Sequence, residues 1–135
     1  GNELYREWAQ RTLEAFAALA PQFGLYAATY GLAAVLHSRH TSQVVVTGVG
    51  GDAKAAALEA AANSVYRFGK AVLRVTPEII AADALAPALK ETIPHLDASA
   101  AQAFLCVGTS CYPPVSAPEK LIELLTGPTL HAAAQ

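Results

Sequence analysis

The segment that most constrains this chain is Gln43 to Thr47, QVVVT, followed at once by Gly48, Gly50, Gly51 and Asp52. An unbroken β-branched run without polar alternation suits a strand buried on both faces, so it calls for a layer above and a layer below. The glycines supply a turn, and Asp52 is a natural N-cap for an alanine-rich helix over 53–67, with Leu58, Ala61, Ala62 and Val65 facing inward. Gly69 stops that helix, and AVLRV over 71–75 reads as a second strand. Strand, helix and strand in this order predict a right-handed βαβ unit with a parallel pair.

On the N-terminal side, Leu4, Tyr5, Trp8, Thr12, Phe16 and Leu19 recur at helical spacing and predict a helix over 4–20 with one buried stripe. Pro21 and Gly24 mark its end, and a second helix is expected over 25–38 with Tyr26, Thr29, Tyr30, Ala33 and Leu36 on one side. The short connection implies an antiparallel helical hairpin. Trp8, Phe16, Tyr26 and Tyr30 are expected to pack together or against the following layer. Beyond the βαβ unit, Pro77 opens a helical stretch that Pro87 and Pro94 divide. Residues 103–107 read as a third strand, Pro113 and Pro114 break the chain, and 118–125 close as a short helix. The expected fold class is α/β: a small, mainly parallel sheet of about three strands flanked by helices and preceded by an N-terminal helical hairpin. The 135 residues suit one α/β domain, with the hairpin in 1–40 and the βαβ-containing part in 41–135.

A net charge of −2 with interspersed signs leaves no basic stripe for nucleic acid and no polybasic patch for a membrane surface. Apolar runs stop short of the roughly 20 residues that span a bilayer, so a soluble chain is expected. Gly1 stands where an initiator methionine would, and Met is absent throughout. The sequence therefore reads as a piece excised from a larger protein, with its compartment open and the cytoplasm favoured.

Three groups could carry chemistry. Gly48, Gly50 and Ala53 form G-x-G-x-x-A between a strand and a helix, the context of a dinucleotide fingerprint. That motif needs an open helix N-terminus facing a pyrophosphate, whereas Asp52 would take up those donors and repel the anion. Val75 and Thr76 also stand where a ribose-binding acid belongs, so the Gly48 to Asp52 turn is at most a small-ligand site and no cofactor is expected. Cys106 and Cys111 bracket Val-Gly-Thr-Ser, a turn able to bring the sulfurs together. The spacing is not C-x-x-C and no neighbouring cation activates either thiol, leaving structural thiols, a disulfide or a redox pair open. His37 and His40 with the two cysteines would make four zinc ligands by type, but both histidines have a plainer role at a helix end, and no metal is expected. His95 and His131 have no evident partners. No serine stands in a G-x-S-x-G elbow, and Glu14, Asp83, Glu91 and Asp97 are scattered. No catalytic residue can be named.

The element Ala103, Phe104, Leu105, Cys106, four residues, Cys111, two residues and Pro114, preceded by QVVVTGVGGD and YRFGKAVLRV, resembles the C-terminal end of the YyaL-type thioredoxin-domain-containing family. Relatives in that family include a spermatogenesis-associated protein. The resemblance implies a parent with an N-terminal thioredoxin-like domain and a helical toroid, of thiol-redox or carbohydrate-active type. The present chain would then be its C-terminal accessory domain, with those two domains as partners. The family's cysteine motif and toroid cavity have no matching positions here.

Overall fold

The computed structural model describes residues 3–39, 41–85, 87–93, 96–108 and 110–127. His40, His95 and His131, each considered above, lie outside the described residues. The chain divides into two compact units, Gly1–His40 and Thr41–Gln135.

The first unit is helical. Helix α1 (Glu3–Ala17) leads into a 3-10 segment (Ala20–Ala27) and helix α2 (Ala28–Ser38). Pro21 lies in the first turn of the 3-10 segment, and Gly24, at φ 51°, kinks it. The expected turn is thus a wound connection, and α2 starts three residues later than the spacing predicts. Tyr30 Oη donates to the Leu13 carbonyl at 2.9 Å, tying α2 to α1, and Tyr5 and Trp8 pack with ring centroids 5.9 Å apart. The expected buried stripe is not found. No residue of α1, α2 or the 3-10 segment is buried, and Trp8, Phe16 and Tyr26 are 53%, 54% and 95% exposed. A two-helix pair has one interface, and an apolar arc wider than about 100° outruns what a single partner helix can cover. Among the described residues no single helix is long and apolar enough to cross a membrane; α1 and Ala20–Ser38 pass that test only as a pair bent by 108°.

The second unit is built on β1 (Ser42–Thr47), followed by α3 (Ala53–Ser64), β2 (Lys70–Val75), α4 (Pro77–Ala81), α5 (Pro87–Thr92), β3 (Ala103–Val107), β4 (Ser110–Cys111) and α6 (Pro118–Thr126). The sheet has four strands in the order β2-β1-β3-β4. The β1–β2 pair is parallel, Val44 opposite Val72, as a βαβ unit requires. The expectation of a mainly parallel, three-stranded sheet is corrected at β3, which runs antiparallel to β1 with Val46 opposite Ala103, and at β4, which returns antiparallel with Cys106 opposite Cys111. The prolines give the reason. A further parallel strand needs a crossover that carries the chain back along a six-residue strand of about 20 Å. Pro77 and Pro87 instead start helices of 5 and 6 residues, each spanning less than about 10 Å. The chain stays at the end where β2 finishes and enters β3 from there.

Val44, Val45 and Val46 are fully buried because both faces of β1 are covered. On one face Val44, Val46, Ala103 and Leu105 meet Ala55, Leu58, Ala61 and Ala62 of α3 and Leu121 and Leu125 of α6. On the other, Val45, Val75 and Cys106 meet Leu89 and Ile93, with Ile79, Ile80, Leu85 and Phe104 around them. Fully burying a leucine such as Leu58 contributes about 1.5–3 kcal/mol, so the three layers rest chiefly on these contacts.

Candidate functional site

In an open α/β sheet, ligands favour the crevice outside the carboxyl end of the strands, at the point where the chain diverges to either side. Here that point is the end of β1, where the Gly48 to Asp52 turn leads into α3. Gly48 has φ 136°, and a Cβ there would lie 2.8 Å from the Ala55 Cβ and 3.3 Å from the Arg74 guanidinium. The space beside this glycine is filled by the protein itself. Asp52 caps α3 with its carboxylate, accepting from the backbone N–H of Lys54 at 2.8 Å and of Ala55 at 3.4 Å. The donors that would hold a phosphate are therefore occupied, and the carboxylate opposes an anion.

Arg74, one residue before the end of β2, closes the turn from the other side. Its guanidinium donates to the carbonyls of Thr47 at 3.2 Å, Gly48 at 3.3 Å and Val49 at 3.1 Å. Thr47, fully buried, donates through Oγ1 to the Ala100 carbonyl at 2.8 Å, and its N–H donates to Gln102 at 2.8 Å. These bonds fasten the approach to β3 onto the end of β1. Arg74 was not singled out from the sequence; the signal for it was a cation inside the apolar run AVLRV, which a half-buried position must pair. Beside the turn lies an open groove of about 650 Å³ between the starts of α3 and α6, lined by Asp52, Lys54, Ala101, Gln102, Ser116 and Ala117 among others. Its side chains supply one ammonium, one amide and one hydroxyl beside the engaged carboxylate, with no converging acid and base.

At the opposite end of α3, two more cations close helix ends. Lys70 Nζ donates to the carbonyls of Ala62 and Val65, and Arg67 donates to the Leu125 carbonyl of α6 at 2.7 Å. Burial, and secondarily the nearby Arg67 charge, hold the Lys70 ammonium below its ordinary pKa. These contacts explain the cations as helix-end partners.

The cysteines stand elsewhere, at the edge of the sheet. Cys106 and Cys111 are directly opposite across β3 and β4, with Cα atoms 4.0 Å apart and the sulfurs joined at 1.97 Å. The pair faces the α4 and α5 side, where Cys106 is 3% exposed and Cys111 half-buried. Sulfurs bonded to each other leave no thiolate for zinc, and among the described residues no group of three or more His, Cys, Asp or Glu side chains could hold a metal ion. His37 lies in the last turn of α2.

Comparison with known proteins finds no matching family model, curated protein or solved structure.

The carboxylates noted in the sequence have local roles. Asp97 accepts from the Ser99 N–H at 2.8 Å, and the hydroxyl and N–H of Ser99 hold its carboxyl below the ordinary range. Glu14 accepts from Gln10 at 2.8 Å, and Asp83 pairs with Lys90. Glu91 is exposed.

Proposed function

We infer that this chain is a non-catalytic interaction domain of a larger protein, the C-terminal α/β part of a YyaL-type thioredoxin-domain-containing parent. The exposed apolar surface of the helical unit carries this reading. Tyr5, Trp8, Phe16, Leu19, Phe23, Leu25, Tyr26, Leu32 and Leu36 are each more than a third exposed within 36 residues, and no residue of α1, the 3-10 segment or α2 is fully buried. A concentration of large apolar side chains on this scale marks an interaction surface. The surface would be covered by the parent's helical toroid, to which this bent helical pair would add one more layer. Further support comes from the cysteine element on which the family resemblance rests, which forms a closed β3–β4 return. The end of β1, where an α/β enzyme would bind its ligand, is filled by Asp52, Arg74 and Ala55.

Trp8 provides the test, because it is the only tryptophan in the chain. Acrylamide quenching of its fluorescence should be strong in this chain alone. It should fall severalfold when the chain is produced in continuity with the parent's helical toroid, the toroid tryptophans being replaced by phenylalanine. Equal quenching in both forms would refute the reading.

A further inference from the structure

We propose that the Cys106–Cys111 disulfide is a thiol–disulfide exchange site, opened at the Cys111 sulfur by a dithiol reductant that approaches the free edge of the sheet. Exchange requires the attacking thiolate, the attacked sulfur and the leaving sulfur to lie close to one line, so access is decided by what stands behind each sulfur. Behind Cys111 there is no further strand among the described residues, because β4 is the last in the order β2-β1-β3-β4. Behind Cys106 lies β1, with Gln43 directly opposite it in register and Val45 packed against it in the core. Cys106 is buried and Cys111 only half-buried. The two ends of the same bond therefore differ in reach, and the edge sulfur is the one open to attack.

A thiolate of the reductant bonds to Cys111 Sγ, the Cys106–Cys111 bond breaks, and its electron pair leaves on Cys106 Sγ, which takes up a proton. The second thiol of the reductant, deprotonated, then attacks its own sulfur in the mixed disulfide and releases Cys111 as a thiolate, which is protonated in turn. The protein gains two electrons and two protons, and the reductant ends as its own disulfide.

The hairpin is built to outlast this change. Val107 remains opposite Ser110, the Tyr112 N–H donates to the Leu105 carbonyl at 2.8 Å, and Ala103 and Val115 exchange bonds at 2.8 and 2.9 Å. These bonds hold the return on both sides of the cysteines without the covalent link. Opening the disulfide frees one thiol at an accessible edge and one beneath Leu89 and Ile93, while the sheet persists.

The full chain, native at neutral pH, is exposed briefly to reduced glutathione, acid-quenched and mapped by peptide mass spectrometry. A monothiol has no second thiol to resolve the mixed disulfide within one molecule, the acid quench traps it before it exchanges further, and glutathione is expected on Cys111 at least tenfold more often than on Cys106. In dithiothreitol without denaturant, both thiols should become alkylatable while urea unfolding stays cooperative. The rate at which Ellman's reagent modifies Cys111 in Cys106→Ser should exceed that of Cys106 in Cys111→Ser by tenfold or more. Should either variant fail to fold, the glutathione map of the unmutated chain decides. Equal or reversed labelling, a bond that opens only in denaturant, or loss of cooperative unfolding on reduction would each overturn the proposal.

Discussion

Replacing Gly48 by alanine separates the two meanings that a glycine after a strand can have. If the glycine exists to let a ligand approach the backbone, a methyl group there costs little in the unliganded protein. The structure argues the reverse. At φ 136° a non-glycine residue sits in a sparsely populated region, at a cost of about 1–3 kcal/mol. The new Cβ would also lie 2.8 Å from the Ala55 Cβ, and Ala55 is fully buried on α3, so the helix must shift at a further cost of about 1–3 kcal/mol. The lower entropy of the unfolded alanine chain offsets only about 0.4–1 kcal/mol. Gly48→Ala should therefore destabilise the fold by about 2–5 kcal/mol, a large part of the 5–15 kcal/mol typical of a domain.

Urea unfolding followed by circular dichroism measures the sum, and a double-mutant cycle resolves its parts. Ala55→Gly alone should cost about 1–2 kcal/mol, from helix propensity and one lost buried methyl. In the presence of Gly48→Ala it also removes the clash, so the double variant should be more stable than additivity predicts by about 1–3 kcal/mol, leaving the backbone strain behind. A Gly48→Ala cost below about 1 kcal/mol, or additivity within about 0.5 kcal/mol, would refute the assignment of this glycine to internal packing.

Three further outcomes follow from the same geometry. Asp52→Ala removes the cap of α3 and should lower the urea midpoint at unchanged slope, equivalent to about 1 kcal/mol; an unchanged midpoint would mean that the carboxylate is not engaged. Reducing the disulfide opens a short ring, and chain entropy for a loop of this size assigns it about 2 kcal/mol. The reduced chain should thus stay folded with a lower urea midpoint, and complete unfolding on reduction would contradict this. Glu78, held down by the Thr76 hydroxyl and its own N–H, Asp97, held down by Ser99, and Glu123, held down by Lys120, all have carboxyls below their ordinary values. Folded values below unfolded ones mean that the stabilisation is complete above the ordinary range near 4 and is lost as pH falls through the folded values. The melting temperature should decline from about pH 5 downward, and Asp97→Asn should shallow that decline; an identical acid limb would clear Asp97 of the effect.

Local rules made much of the second unit legible. The valine run named the central strand, Asp52 named the cap, and Ala103 to Val107 marked β3, because each depends on neighbours in sequence and a fixed period. Strand direction was not legible in the same way: the period of β3 is the same whichever way it runs. Only the inability of α4 and α5 to carry the chain back fixes it as antiparallel. The stripe on α1 failed for a related reason, since helical spacing shows that an apolar face exists but not what covers it. Cys106 and Cys111 were visible as a pair, yet their placement directly opposite each other on β3 and the edge strand β4, one buried and one half-buried, depends on a register that no spacing contains.

The polar groups at the end of β1 bear on where this molecule can act. Thr47 donates to Ala100, Arg74 to three successive carbonyls and Asp52 accepts from two N–H groups. Among the described residues no buried side-chain nitrogen or oxygen lacks a partner. A site that binds or turns over a ligand holds polar groups ready for it, and holding them unpaired while buried costs about 1–3 kcal/mol each. At this crest the hydrogen-bonding capacity has been spent on fastening the turn, the approach to β3 and the start of α3 to one another. What the fold leaves accessible is of a different kind: large apolar side chains on the helical unit and a half-buried cysteine at the sheet edge. On the reading proposed above, those features would serve association and exchange with another protein.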